Sequence, residues 1–378
     1  MDVPVDPNVV APQERLMSLD ALRGFDMFWI VGGGVILGRL AETWQSLWLD
    51  QVVIPHTEHV PWEGFVAWDL IMPLFLFVVG TAMPFSFAKR LSRGSSKTRL
   101  YLHIVYRVIV LWILGMIVQG RLLQYELSSL RLYSNTLQAI AAGYLIASLV
   151  LLNLRVHWQA VATVALLLLY WALLMLVPVP GFGAGQLTAD GNLAIYIDKL
   201  ILGPYQDGTS YTWILSSMTF ATTVMMGAFA GQLLRSELSK ARKTLFLLAA
   251  GVACIYLGSW WGMIFPIVKH IWTSSMVLYA GGWSLVLLGI FYLLIDVCRL
   301  RFLAFPFVVI GMNAIFAYVA TSLFAWQRPV FRNIAEVFFA GVESRLGTWY
   351  DTTIAVGTFL VLWLILLYMC RKKVFIKI

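Results

Sequence analysis

Apolar stretches of about twenty residues recur along the chain, separated by short polar segments. A helix of that length matches the hydrocarbon thickness of a bilayer. We predict ten transmembrane helices, near residues 18–40, 64–88, 101–119, 132–152, 158–177, 211–234, 244–263, 273–295, 302–325 and 352–370. The pattern therefore predicts an all-α fold, a polytopic membrane helix bundle. Its single transmembrane domain covers residues 18–370, between a tail of residues 1–17 and a basic tail of residues 371–378.

The composition agrees with a membrane protein. Hydrophobic residues make up 60% of the 378 residues and charged residues only 12%, a balance that excludes an ordinary soluble domain. The first seventeen residues are acidic rather than basic, so we expect no cleavable signal peptide. The three cysteines show neither metal-ligand nor disulfide spacing, so we expect them to be core or lipid-facing thiols.

The positive charges are distributed unevenly between the two sides that ten spans define. With both termini on one side, the segments there hold seventeen Lys and Arg, and those opposite hold eight. Arg23 and Arg107 lie within spans, which accounts for all 27. Basic residues favour the cytoplasmic side, so we predict that both termini are cytoplasmic. The net charge of +8 follows from this bias and does not indicate nucleic-acid binding.

Residues 56–87 form the most informative stretch. They begin with two histidines and two carboxylates and then become apolar, with Asp69 inside the apolar run. Pro61 suits the first position of a helix, so we expect His59 just before a membrane helix and Asp69 about two turns into it. Ionisable residues at such depth usually mark a site or a pathway. The alternative is a single carboxylate satisfied by its neighbours.

The start of the first span carries a second group of charges. Asp20 and Asp26 are each three residues from Arg23, so both can reach it on a helix. One interpretation is an ion-pair cluster that anchors the helix. The other is a positive charge that meets an anionic ligand entering from inside.

Two motifs in these stretches carry a resemblance to a known family. SLDALRGFDMFW at 18–29 and HVPWEGFVAWDLIMPLFLFVVG at 59–80 resemble the transmembrane acyltransferase family that includes lysosomal heparan-α-glucosaminide N-acetyltransferase. The similarity continues through the Leu137-Gln138 pair, through PIVKHIW at 266–272, and through Gly311-Met312-Asn313. It covers most of the chain and is closest to bacterial members.

The resemblance implies a reaction that uses both sides of a membrane. Acetyl-CoA is supplied from the cytosol, and the acetyl group passes to the amine of a glucosamine unit on the other face. In a bacterial inner membrane that face is the periplasm. The family's active-site histidine matches His59. Two positions depart from the family, because Ile30 stands where the lysosomal enzyme has asparagine and Ala139 where many members have arginine.

The residue chemistry is compatible with acetyl transfer to an amine. A histidine can take the amine's proton or attack the thioester and carry the acetyl group, and the sequence leaves both routes open. Asp69 can orient His59 or hold the sugar's ammonium. The candidate catalytic residues are His59 and Asp69. The candidate acetyl-CoA-binding residues are Arg23, Lys89, Arg90, Arg93, Arg235, Lys243, Gln138 and Asn313. The candidate substrate-binding residues are Trp62, Glu63, Lys269, His270 and Trp272.

Two other functions stay open at this stage. One is a permease that carries amino sugars or N-acetylglucosamine without chemistry, and the other is an O-acyltransferase of envelope glycans. We expect acetyl-CoA as co-substrate, no metal, and an amino sugar and the lipid bilayer as partners. We allow for a homodimer and expect no nucleic acid. We find no phosphate-binding glycine loop, zinc spacing or Ser-His-Asp signature in the sequence.

Overall fold

The computed structural model describes residues 16–376, and within that range the chain is helical. Two isolated β-bridges are the only extended pairing among these residues. The α-helices are α1 (Met17–Phe28), α2 (Gly34–Trp44), α3 (Ile71–Ser92), α4 (Lys97–Val118), α5 (Thr136–Asn153), α6 (Val156–Leu176), α7 (Leu193–Leu202), α8 (Ser217–Arg235), α9 (Lys240–Gly262), α10 (Ser274–Phe291), α11 (Arg301–Gly311), α12 (Ala314–Thr321), α13 (Val330–Phe338), α14 (Glu343–Leu346) and α15 (Tyr350–Arg371). The predicted all-α polytopic bundle is confirmed. Most of the expected tail of residues 1–17 lies outside the described residues.

Eight helical segments in the described range are long and apolar enough to cross a membrane. They are Met17–Trp44, Ala67–Ser92, Lys97–Val118, Thr136–Asn153, Val156–Leu176, Lys240–Gly262, Ser274–Val297 and Glu343–Arg371. A ninth arises if the pair Arg301–Gly311 and Ala314–Trp326, bent by 59°, forms one span. The predicted number of ten is therefore one or two higher than this count by length and composition.

The remaining predicted span, 211–234, corresponds to α8, a helix of 19 residues. It contains three Thr and two Gly, so it is less apolar than its neighbours, and most of its side chains are buried. It packs against α3 through glycines. A Cβ atom at Gly80 would lie 1.9 Å from the Val224 carbonyl oxygen, and one at Gly227 would lie 1.9 Å from that of Phe77. The two backbones are in direct contact, as small residues permit in membrane helices.

Three loops meet at one end of the bundle, and we call this end the loop platform. They are residues 45–66, residues 177–216, which include the short helix α7, and residues 263–273. The first and third are joined where the Gly64 amide donates to the Ile267 carbonyl at 2.9 Å, beside the bridge of Glu63 with Val268. The second joins the third where the Thr212 amide donates to the His270 carbonyl, also at 2.9 Å. The opposite end, which we call the basic end, carries the 89–99 and 235–243 loops.

Candidate active site

The start of α3 places Asp69 and the loop before it places His59. Residues Ala67–Leu70 form a 3-10 turn that leads into α3. One carboxylate oxygen of Asp69, Oδ2, accepts a hydrogen bond from the Val66 amide at 3.1 Å, so Asp69 caps the turn at its start. The predicted helix start at Pro61 is therefore wrong. Gly64 has a φ of 119°, which no continuing helix allows, and Asp69 lies in the first turn rather than two turns in.

The His59 imidazole contacts Asp69 directly. Its Nδ1 lies 2.7 Å from Asp69 Oδ1, and the Lys269 ammonium lies 3.3 Å from the same oxygen and 3.1 Å from the same nitrogen. Asp69 is 1% exposed and Lys269 5%, whereas the His59 side chain is 43% exposed. The three side chains form a compact cluster in which only the histidine reaches the solvent side of the loop platform.

The arrangement of charges determines which histidine nitrogen can react. A charged lysine and a carboxylate pair with each other, and the carboxylate also accepts the Nδ1 proton of His59. Nε2 then carries the lone pair, and it has no hydrogen-bond partner among residues 16–376. Burial lowers the pKa of Lys269 to about 8, although Asp69 opposes that shift. The cluster therefore presents a free imidazole nitrogen supported by a buried ion pair.

A second imidazole lies beside this cluster on an aromatic stack. The Tyr211 ring stacks on His270 with centroids 4.2 Å apart, and the Trp62 ring meets it edge-on at 5.2 Å. His270 Nδ1 is 2.6 Å from the Ser210 hydroxyl. Burial and then the nearby Lys269 charge lower the pKa of His270 to about 4, so the ring is neutral at pH 7. His270 thus supports the platform as a packed, neutral aromatic group.

An open groove of about 450 Å³ lies next to this stack. Its wall includes Trp62, Glu63, Thr188 and Ser210, with the Trp62 indole fixed by a 2.9 Å hydrogen bond to the Leu187 carbonyl. An exposed carboxylate, two hydroxyls and an indole suit a sugar with an amino group. The structure therefore brings Trp62 and Glu63 together at a place where a polar ligand can enter.

The other two candidate substrate residues are less accessible. Lys269 is engaged with Asp69, as described above. Trp272 is 2% exposed, its indole donates to the Thr223 hydroxyl at 3.2 Å, and its ring packs edge-on against Phe220. Neither side chain lines the groove. The sequence predicts both residues in an outer loop, but a position in a loop does not indicate whether a side chain is buried.

A separate apolar cavity of about 470 Å³ lies between α1, α3 and α10. It extends from His56 and Thr57 at the loop platform to Asp26 within the first span. Asp26 is 1% exposed, and its Oδ2 has no hydrogen-bond partner among the described residues. The cavity also touches Trp68, whose ring centroid is 6.5 Å from that of His59. The sequence had offered Asp26 only as a partner for Arg23.

The candidate acetyl-CoA-binding residues lie in several separate places. Arg23 is 3.6 Å from Asp20 on α1, and Lys89, Arg90 and Arg93 lie where α3 ends. Arg235 donates to the Pro84 carbonyl at 2.9 Å. These five arginines and lysines all lie in the half of the bundle that contains the basic end. They could face one anionic ligand only if it extended across several helices.

Three further candidates are held by the fold itself. The Lys243 ammonium is buried and donates to the Leu234 carbonyl at 2.8 Å. Gln138 is buried near the loop platform, where its side-chain oxygen accepts from the Ser134 amide at 2.9 Å. Asn313 bonds Val374 and Ile376 of the C-terminal segment at 3.1 and 2.9 Å. Each of these side chains has a structural partner. Gln138 lies at the opposite end from the basic loops.

The fold and the site define a class of protein. It is a polytopic helical membrane protein with a His-Asp-Lys cluster at the loop platform, and residues 16–376 show no group of His, Cys, Asp or Glu that could hold a metal ion. Residues 15–195 match a family described as "Domain of unknown function (DUF5009)".

Two curated relatives extend this finding. The chain is 25% identical to heparan-alpha-glucosaminide N-acetyltransferase from Homo sapiens and 26% identical to that from Mus musculus, each over 428 aligned positions. The alignments cover 96% of this chain and 60% of each relative, so the chain spans about 60% of the relatives' length. Together, these matches confirm that the chain resembles heparan-alpha-glucosaminide N-acetyltransferase over most of its length.

Proposed function

We propose that this protein transfers an acetyl group from acetyl-CoA to the amine of a glucosamine-type sugar, with His59 as the reacting residue. The observation that carries the proposal is the contact of His59 Nδ1 with buried Asp69 at 2.7 Å, which leaves Nε2 free at an exposed position. A histidine held in this way by a carboxylate is a common arrangement for nucleophilic or general-base catalysis. The relatives' names supply the class of reaction.

Two routes use the same geometry. In direct transfer the amine nitrogen attacks the thioester carbonyl, the new C–N bond replaces the C–S bond, and His59 Nε2 takes the amine's proton while CoA leaves as a thiolate. In the two-step route Nε2 itself attacks the thioester and CoA leaves. The amine nitrogen then attacks the acetyl carbon, the bond from that carbon to Nε2 breaks, and the freed imidazole takes the amine's proton. Asp69 fixes the reactive tautomer in both routes, and it offsets positive charge that develops on the ring.

The groove beside Trp62 supports the acceptor site. Glu63 is exposed on its wall and can pair with a sugar ammonium, while Ser210 and Thr188 can bond hydroxyl groups. The bridge of Glu63 with Val268 links this wall to the loop that carries Lys269. The same pair of loops therefore positions both the groove and the His59 cluster. An amino sugar bound there would lie on the same face of the protein as His59.

The donor is proposed to enter from the other end. CoA phosphates are strongly anionic and suit the arginines and lysines near the basic end. The apolar cavity along α1 supports a route for the pantetheine arm, because it runs from Asp26 towards Trp68 and the His59 loop. In this proposal the basic end is cytoplasmic and the loop platform is periplasmic, in a bacterial inner membrane. A homodimer stays an untested prediction.

A thiol assay on the purified full-length protein tests this function against transport. Acetyl-CoA and glucosamine are mixed with the protein, and free thiol is measured with a colorimetric reagent. We expect thiol release that depends on both substrates, together with formation of N-acetylglucosamine. A permease would bind or move the sugar and release no thiol, and an O-acyltransferase would give an ester that hydroxylamine cleaves.

A further inference from the structure

Arg107 is a charged residue inside a membrane-spanning helix. It lies ten residues after the start of α4 at Lys97, about 15 Å along the helix axis. In the described part of the chain, no carboxylate forms an ion pair with it and no hydrogen bond reaches its guanidinium, and its Nε is buried without a partner. Cations at such depth are costly and are normally paired. Among residues 16–376, the guanidinium therefore lacks an anionic partner.

The Arg107 guanidinium is nevertheless held in a defined position. Its central carbon lies 4.4 Å from the centroid of the Tyr144 ring, which is 1% exposed. Stacking on an aromatic face fixes the plane of a guanidinium and directs its N–H groups sideways. Because helical side chains lean towards the start of their helix, the group faces the basic end. Its donors are therefore oriented before any ligand arrives.

Two neighbours complete a cluster of donors. Arg90, near the end of α3, donates from Nη2 to His103 Nε2 at 2.8 Å. Arginine can only donate, so Nε2 accepts and the ring carries its proton on Nδ1. His103 is one turn before Arg107 on α4, and both arginine charges act on it. We name Arg90, His103 and Arg107 the α3–α4 cationic cluster.

We propose that the α3–α4 cationic cluster is a phosphate-binding site. Two guanidinium groups and an imidazole N–H offer several donors and two positive charges, which suit an anionic phosphate. Phosphate reaches this part of the membrane in two forms, as the phosphates of CoA and as the headgroup of an anionic phospholipid. The inference goes beyond the proposed acetyl transfer, because either source would occupy the same donors.

The test measures binding of both sources to the full-length protein in dodecyl maltoside, a detergent without phosphate. One arm titrates CoA, and the other titrates phosphatidylglycerol and counts bound lipid by native mass spectrometry. We expect Arg107→Gln to weaken one of the two by about tenfold or more, which is the loss of one charged hydrogen bond. Loss with CoA alone assigns the site to the cofactor, and loss with the lipid alone assigns it to the headgroup.

Arg99→Gln is the matched control. Arg99 is an exposed residue two positions into the same helix, so its removal changes the net charge equally without touching the cluster. We expect it to change binding by about twofold or less, since exposed charges are screened. If Arg107→Gln folds poorly, Arg107→Lys is measured instead, because lysine keeps the positive charge but lacks the planar set of N–H donors of a guanidinium group. Binding of both ligands within twofold of wild type in the Arg107 variants would overturn the proposal, whether or not the protein transfers acetyl groups.

Discussion

At the scale of single residues, the Lys269 ammonium lies between the two groups that the proposed reaction uses. It is 3.3 Å from Asp69 and 3.1 Å from His59 Nδ1, and it is almost completely buried. Its positive charge pairs with the Asp69 carboxylate. It also keeps Asp69 charged at the membrane boundary. Lys269 therefore positions the reactive group, and its burial leaves it little contact with a substrate.

Lys269→Met should lower kcat/KM by roughly 10- to 100-fold, the value of one hydrogen bond to a charged group. Burial lowers the pKa of Lys269 to about 8, so the wild type loses this charge as the pH rises through about 8. We expect a falling alkaline limb near that pH in the wild type and its absence in the variant. Rates measured from pH 6.5 to 9.5 would show this, and an unchanged alkaline limb would argue against the role.

The ion pair with Asp69 can be tested by its stability. Asp69→Asn and Lys269→Met each leave one buried group without its partner, which costs about 3–5 kcal/mol. The double variant removes both charges, so its free energy of unfolding should fall by clearly less than the sum of the two single losses. Thermal denaturation in detergent measures all three. Strictly additive losses would mean that the two side chains do not interact.

The sequence predicted part of this cluster. His59 and Asp69 are ten residues apart in one motif, so a local pattern could propose their contact. Lys269 is 200 residues from Asp69, and no periodicity indicates that its side chain turns inward. The loop pairing of Glu63 with Val268 causes that contact. Such a pairing becomes visible only in three dimensions.

At the scale of helices, the α3–α8 crossing depends on glycine. A Cβ atom at Gly227 would lie 1.9 Å from the Phe77 carbonyl oxygen, so one of the two helices must shift. Gly227→Ala should therefore destabilise the protein by about 1–3 kcal/mol or more. Gly38→Ala is the matched control, because a Cβ at Gly38 in α2 meets nothing within 4 Å. It should raise stability by up to about 1 kcal/mol, and equal melting temperatures for the two variants would contradict this packing.

Helix positions followed the apolar pattern well, and the errors have physical causes. The predicted span 64–88 corresponds to Ala67–Ser92, which begins later because Asp69 caps the turn at Val66. Residues 302–325 read as one span, but the helix breaks between Gly311 and Ala314, where Asn313 bonds the C-terminal segment. Hydropathy records how apolar a segment is. It does not record where a side chain forms hydrogen bonds with backbone groups and so starts or interrupts a helix.

At the scale of the whole molecule, the proposed function uses both ends of the bundle. The acceptor sugar and His59 are assigned to the loop platform, and CoA is assigned to the basic end. We expect the platform to face the periplasm, because the segments on the side of the basic end, including the termini, hold seventeen of the 27 Lys and Arg. The test uses a variant without Cys254, Cys298 and Cys370 that carries one new cysteine. An impermeant maleimide should label Ala184→Cys in intact cells and Ser92→Cys only after permeabilisation. The reverse pattern would invert the orientation.

His59 carries the central claim, and turnover of His59→Ala tests it most directly. The measurement is thiol release and N-acetylglucosamine formation by purified, folded protein with acetyl-CoA and glucosamine, with His56→Ala as the matched control. We expect His59→Ala to lose about 10²–10⁴-fold in rate, the range for a positioned catalytic base, or more if Nε2 carries the acetyl group. His56→Ala should lose far less, because His56 only lines the cavity proposed for the pantetheine arm and makes no contact with Asp69 or Lys269 among the described hydrogen bonds. Near-normal turnover by well-folded His59→Ala protein would contradict the proposed reaction.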